Sequence, residues 1–248
     1  MTVLEAPQIR DGQSVAAVHD ALRTAILLGR LEPGSRVSQA KLVLSFSTGR
    51  TPLREALRLL QREGLVIAAP NRQMRVAPLT AQDFEELSVA RLALEAVAIR
   101  ITVPTLVTGD IAALEGLLTQ MDHYQRADDQ TSFREPHRAF HHRLVAAAGR
   151  RVSAEISQLT DHAERYRLRF GGLGRWEDRR AEHRAILDAA RAGDAEQAAT
   201  RLTEHYLSTI GLVFGALDGA HTLERLRTTI RTVAPGALGA LSGDCPDG

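Results

Sequence analysis

Three arginines and four histidines offer this 248-residue chain most of its chemistry. Arg50 and Arg54 lie in the stretch Arg50-Thr51-Pro52-Leu53-Arg54-Glu55-Ala56-Leu57, which reads as the start of a helix and is followed directly by Arg58. Thr51 is suited to cap it and Pro52 to open it, because proline's missing N–H has no partner to lose at the first helical position. Leu53, Ala56, Leu57 and Leu60 fall on one face at helical spacing, so the helix buries that face and projects its guanidinium groups elsewhere. Arg50 and Arg54 stand at the N-terminal end, where backbone donors also favour an anion. A phosphate or a base edge is their natural partner.

The histidines point to different chemistry. His137 and His141 are four apart, so on one helix they stack on the same face about one turn apart. His183 and His205 flank Gly193 at ten and twelve residues. An antiparallel helical hairpin turning at Gly193 sets them side by side. Four imidazoles from three helices suit a divalent transition ion, Zn²⁺ or Ni²⁺. Taken alone, a His pair at this spacing is weak evidence, and His19, His123, His142, His162 and His221 are read as ordinary surface or core histidines.

Local signals define the elements that must hold these groups. Ser14 to Leu28 forms an amphipathic helix through Val15, Val18, Leu22 and Ile26, ended by Gly29 before the turn Leu31-Glu32-Pro33-Gly34. Ser38 caps a short helix carrying Leu42 and Leu44, and the connection Ser45 to Gly49 leads into the arginine helix. That is a helix-turn-helix arrangement. After Gly64, Leu65-Val66-Ile67 and Arg75-Val76 flank a polar tip, as in a two-stranded wing. From Thr80 onward no convincing strand pattern occurs. Helices are expected over Ala81 to Ile101, Gly109 to Ala127, Ser132 to Ala148, Val152 to Phe170, Trp176 to Ala192, and from Asp194 towards Leu217.

The expected fold is therefore mainly α: an N-terminal winged helix-turn-helix with a small β-wing, and a C-terminal all-α antiparallel helical bundle. Residues 1–13 read as a flexible N-terminus, 14–77 as the winged helix, 80–220 as the helical domain and 233–248 as a disordered tail. Charge follows the same division. Residues 1–80 hold 11 of the 31 Lys and Arg and 6 of the 30 Asp and Glu, leaving 20 basic and 24 acidic residues for the rest. The basic part suits double-stranded DNA, whereas the acidic part is no general nucleic-acid surface. No membrane-spanning run or secretion signal is found, so a cytoplasmic location is expected. The single Cys245 excludes an internal disulfide.

Residues 14 to 80 resemble the winged helix of GntR-family bacterial transcription regulators. The similarity lies in Gly29-Arg30-Leu31-Glu32-Pro33-Gly34, in Gly49-Arg50-Thr51-Pro52-Leu53-Arg54-Glu55-Ala56-Leu57 and in Leu60-Gln61-Arg62-Glu63-Gly64-Leu65. The resemblance implies that Arg50, Thr51 and Arg54 contact an operator, that Arg72 at the wing tip reaches the minor groove, and that Lys41 touches phosphate. Gly49 replaces the family's usual Ser or Thr, and Gln73 its usual wing glycine. Residues 81 to about 220 resemble the FCD effector domain of the FadR subfamily through Arg91-Leu92-Ala93-Leu94-Glu95, His137-Arg138-Ala139-Phe140-His141 and Glu182-His183-Arg184-Ala185-Ile186-Leu187. In that domain an Asp and three His hold metal, and the Asp position is here His137. A four-His set carries one less negative charge and favours borderline ions over hard ones.

The resemblance further implies a small carboxylic-acid effector, for which Arg91 is the candidate cation. An intrahelical Arg91–Glu95 ion pair is the equally weighted alternative. The expected function is a DNA-binding transcriptional regulator, not an enzyme: a homodimer on a pseudo-palindromic operator, acting as a repressor or activator whose affinity answers to acid or metal. The competing expectation is a helical-bundle metalloenzyme with an appended DNA-binding module, Glu182 serving as its base.

Overall fold

The computed structural model describes residues 14–69, 73–170, 176–217 and 221–241. Arg72 and Cys245 lie outside the described residues. The chain divides into two compact units, Met1–Thr80 with Glu164–Arg169, and Ala81–Ala163 with Phe170–Gly248.

The first unit opens with α1 (Val15–Leu27), α2 (Gln39–Ser45) and α3 (Arg50–Arg62), followed by β1 (Val66–Ala69) and β2 (Gln73–Val76). The strands pair antiparallel with Val66 opposite Val76 and Ala69 opposite Gln73. Arg36 adds a bridge to Arg75, and Val37 N–H bonds the Met74 carbonyl, so the segment before α2 is stitched to the wing. Val18, Leu22 and Ile26 of α1 meet Leu53, Leu57 and Leu60 of α3 in a core completed by Leu42, Phe46, Leu65 and Val76. Every arginine of α3 is thereby left on the outside.

One local expectation is corrected in this unit. Gly49, not Thr51, is the N-cap of α3: it is extended (φ −77°, ψ 159°), and its carbonyl accepts the first helical bond from Leu53 N–H at 3.2 Å. Arg50, Thr51 and Pro52 fill the first turn. Pro52 still forfeits no bond there, since those amides have no helical acceptor. Leu44 is 80% exposed, whereas Leu42 and Phe46 are buried. A four-residue step keeps a helical face and a two-residue step leaves it.

The second unit comprises α4 (Ala81–Thr102), α5 (Thr108–Arg126), α6 (Gln130–Leu144), α7 (Arg150–Phe170) apart from its Glu164–Arg169 stretch, α8 (Trp176–Arg191), α9 (Ala195–Leu217) and α10 (Glu224–Val233). Helix α4 is apolar around most of its circumference, which suits a helix packed on several sides. It lies against α9 and α10, while α5 packs on α6 and α8, and α8 on α9. Gly193, at φ 70°, turns the α8–α9 hairpin, and the Asp194 carboxylate caps α9 through Gln197 N–H at 2.9 Å. Among the described residues the only strands are the two of the wing.

The C-terminal expectation is corrected as well. Helix α10 follows the bundle, and Pro235–Leu241 forms a 3-10 helix in place of a disordered segment; residues 242–248 lie outside the described residues. Ala234 and Ala237 are fully buried. Small side chains let this segment approach α9 closely: a Cβ on Gly236 would come within 3.3 Å of Thr200. The start of α10 has no side-chain cap of its own. Glu85 of α4 supplies one, accepting from the amides of Arg225 (3.2 Å) and Leu226 (3.4 Å).

A recognition helix and a buried histidine centre

Arg50, Thr51 and Arg54 are all exposed on the first turns of α3, on the side away from the apolar face. Arg58 pairs with Glu55 at 2.9 Å, whereas Arg54 comes no nearer than 3.9 Å to the same carboxylate and stays 58% exposed. The α2–α3 turn passes through Ser47 at φ 45°, a left-handed residue that redirects the chain. Ser38 caps α2, its hydroxyl accepting from Lys41 N–H, which leaves the Lys41 side chain exposed. At the other end of α3, Glu63 takes His19 (2.5 Å) and Arg23 (2.9 Å) from α1. The cationic end of α3 is open and its acidic end is tied down.

In the second unit the fold brings His137, His141, His183 and His205 together. One ring nitrogen from each lies within 4.8 Å of all the others, and His141, His183 and His205 are buried. The Nε2 atoms of His141 and His183 are 3.3 Å apart, and the rings of His183 and His205 have centroids 4.3 Å apart. Tetrahedral Zn²⁺ with bonds of about 2.0–2.1 Å needs donors about 3.4 Å apart, so the set is near the spacing an ion requires. Partners on the outer nitrogens also fit. His183 Nδ1 lies 2.7 Å from the Arg179 carbonyl, and His205 Nδ1 lies 2.8 Å from Glu182 Oε2. Each Nδ1 therefore carries a proton and donates it, which turns an Nε2 lone pair inward.

Burial, reinforced by His137, His205 and His183 and by the Arg91 cation, holds His141 well below the usual imidazole range. Burial and then His205 do the same to His183. Neutral imidazole is the form that binds metal.

Sequence reasoning missed the groups behind the ligands. Tyr206 Oη lies 3.3 Å from His141 Nδ1 and donates a short hydrogen bond to Glu95 Oε2. Burial first, and the Glu95 charge next, push the Tyr206 hydroxyl well above its ordinary range. Arg91 Nε donates to Glu95 Oε1 at 2.8 Å, and its guanidinium sits 4.3 Å from the Tyr206 ring centroid. The Arg91–Glu95 ion pair is formed. Glu182 is likewise engaged, by His205 and by the Ser208 hydroxyl at 2.6 Å. No motif announces Tyr206 or Ser208, because neither spacing nor residue type separates them from ordinary helix residues.

With an open arginine helix in one unit and a buried four-imidazole cluster in the other, the comparisons with known proteins are decisive. "Bacterial regulatory proteins, gntR family" matches residues 15–76 and "FCD domain" matches residues 86–208. The uncharacterized HTH-type transcriptional regulator BphR of Paraburkholderia xenovorans (strain LB400) is 32% identical over 218 residues, covering 82% of this chain and 87% of that protein. This chain belongs to the GntR family. The HTH-type transcriptional repressor GlaR of Escherichia coli (strain K12) is 28% identical over 210 residues, covering 80% of this chain and 94% of that protein. Among solved structures, E. coli McbR/YncC shares the fold, with a TM-score of 0.71 at 22% identity over 82% of this chain and 97% of that one.

This GntR-family protein is thus a DNA-binding transcriptional regulator with an FCD domain, and its relatives are regulators, not enzymes. The gntR match contains Lys41, Arg50, Thr51 and Arg54, and the FCD match contains Arg91 and all four histidines. No helix among the described residues is long and apolar enough to cross a membrane. The metalloenzyme expectation is set aside. The regulator relatives oppose it, and Glu182 faces the back of His205, where it orients a ring instead of holding a water.

Proposed function

We propose that this regulator binds a divalent transition ion, Zn²⁺ or Ni²⁺, on His137, His141, His183 and His205, and that the loaded centre sets its affinity for operator DNA. The observation that carries this reading is the convergence of four imidazole nitrogens within 4.8 Å, with Nδ1 partners already turning His183 and His205 inward. Bound there, the ion would supply a Lewis-acid position for one oxygen of a small carboxylate effector. The charge balance favours such a ligand, since four neutral imidazoles leave a divalent ion's charge uncompensated in a buried site.

At the DNA, Arg50, Thr51 and Arg54 are the operator-contacting residues, Lys41 a phosphate contact, and Arg72 of the wing a minor-groove contact. A homodimer presents two recognition helices to a pseudo-palindromic operator. GlaR and the probable D-xylose utilization operon transcriptional repressor of Paenarthrobacter nicotinovorans are both named as repressors, which supports repression here. The test is operator binding by the purified full-length protein at several salt concentrations, before and after metal removal, with elemental analysis of the same sample. Salt-sensitive binding that changes at least fivefold on adding Zn²⁺ or Ni²⁺ is the expected result. Metal removal that lowers only the melting temperature, with operator affinity constant, would leave the ion a purely structural role.

A further inference from the structure

Arg91, Glu95 and Tyr206 form a buried array directly behind one of the four histidines, and the direction of each hydrogen bond in it can be assigned. Glu95 accepts from both neighbours: Arg91 Nε reaches Oε1 at 2.8 Å, and the Tyr206 hydroxyl reaches Oε2. With its proton committed to Glu95, Tyr206 Oη has only lone pairs left for His141 Nδ1, 3.3 Å away. His141 must then donate from Nδ1, so its lone pair sits on Nε2. That is the atom facing His183 Nε2 at 3.3 Å.

The array spans three helices, with Arg91 and Glu95 on α4, His141 on α6 and Tyr206 on α9. Glu95 is 1% exposed and Tyr206 7%. A buried carboxylate of this kind stays ionised only with a matched cation. Arg91 supplies that cation through the ion pair, and its guanidinium also stacks on the Tyr206 ring.

Resting on the metal reading above, we propose that Arg91, Glu95 and Tyr206 are positioning residues for the metal centre: a directed relay that fixes His141 with its proton on Nδ1 and Nε2 aimed at the ion. Arg91 is then not the effector's anchor. Its charge is matched by Glu95 and its face is covered by Tyr206. His141 is thereby completed in the same way as its neighbours, for the Arg179 carbonyl serves His183 and the Glu182 carboxylate serves His205. Three of the four imidazoles are thus pre-set by three different kinds of acceptor.

Tyr206→Phe in the full-length protein removes one hydroxyl from an otherwise unchanged packing arrangement and is the sharpest test. Imidazole ¹⁵N NMR of the metal-free protein should show His141 as the Nδ1–H tautomer, and the variant should lose that preference. Competition titration with Zn²⁺ alone should show affinity falling about 10–100-fold, with the helical circular dichroism unchanged. Arg91→Lys keeps a cation for Glu95 but not the planar stack, and should fall between wild type and Tyr206→Phe in both measurements. Wild-type tautomer and wild-type Zn²⁺ affinity in Tyr206→Phe would overturn the relay while leaving the metal site standing. Failure of the wild-type protein to bind Zn²⁺ or Ni²⁺ would instead overturn the site, and the relay's role with it. An Arg91 variant with unaltered tautomer and Zn²⁺ affinity would return Arg91 to the effector.

Discussion

The two units carry their chemistry in opposite ways. In the first, Arg50, Thr51 and Arg54 stand exposed on an open helix end, and the protein's own acids leave Arg50 and Arg54 available. In the second, His141, His183, His205, Glu95 and Glu85 are all buried, and each is hydrogen-bonded. An exposed guanidinium needs only a helix to point it, because water solvates it until a phosphate arrives. A buried polar group must have its partners already built in, since leaving one unmatched costs about 1–3 kcal/mol or more for a charge. The DNA-facing unit should therefore lose binding and keep stability when its functional residues are cut, and the histidine unit should lose both.

The largest effect expected from that contrast is on operator binding. Replacing both Arg50 and Arg54 with Ala should weaken specific binding by about 2–6 kcal/mol, on the scale of 1–3 kcal/mol for each base-contacting arginine. The melting temperature should hardly move, because neither side chain is in the core. Fluorescence anisotropy with an operator duplex, set beside a thermal melt, checks both halves. A large drop in melting temperature would break the contrast at its first term.

The opposite outcome is expected at Glu85. Its carboxylate accepts two amides at the start of α10 and lies 3.2 Å from His221 Nε2. Glu85→Ala should destabilise the second unit by about 2–3 kcal/mol, the range for hydrogen bonds to a charged group together with the orphaned amides. Glu85→Gln, which keeps an acceptor, should recover roughly half of the loss. Hydrogen exchange at α10 reads the result directly, and equal protection in wild type and Glu85→Ala would contradict it.

What was legible in the sequence follows the same line between exposed and buried chemistry. The arginine helix, its short partner helix and the wing show in nearest-neighbour signals such as Pro52, Gly64 and the Leu53–Leu57–Leu60 spacing. The four histidines were legible as two pairs because helical periodicity and one glycine turn suffice to place them. Tyr206 and the acceptor role of Glu182 were not, since each depends on a partner 23 or more residues away. Helix α10 was missed for the same reason. Its cap is Glu85, about 140 residues earlier in the chain, so nothing local at Leu223 signals a helix start.

Burial of the histidines also gives the second unit a pH dependence. His141 and His183 are held well below the ordinary imidazole value of 6.5. Below that value the unfolded chain takes up protons that the folded metal-free protein refuses, so stability rises with pH and falls on acidification. Between pH 7.5 and 5.5 the loss should approach about 1 kcal/mol for each of the two histidines. Denaturant titrations of the metal-free protein at the two pH values, monitored in the second unit, measure it. His183→Gln should flatten the slope, and a stability that rose on acidification would reverse the assignment.

The smallest effect tests how far the exposed end of α3 is governed by local chemistry alone. Gly49 caps that helix with no side chain, and a serine there would offer its hydroxyl to the Thr51 amide, Pro52 having no N–H to give. Serine exceeds glycine as a cap by only a few tenths of a kcal/mol. A Cβ at this position would meet Pro52 Cδ at 3.3 Å, so the proline ring must yield slightly. Gly49 has an ordinary extended backbone, and no strain from a left-handed φ opposes the change. Gly49→Ser should therefore stabilise the first unit by about 0.3 kcal/mol, and the added hydroxyl beside Arg50 should tighten operator binding modestly. A net loss of stability would mean that the Pro52 contact outweighs the cap, and that even this open helix end is set by packing.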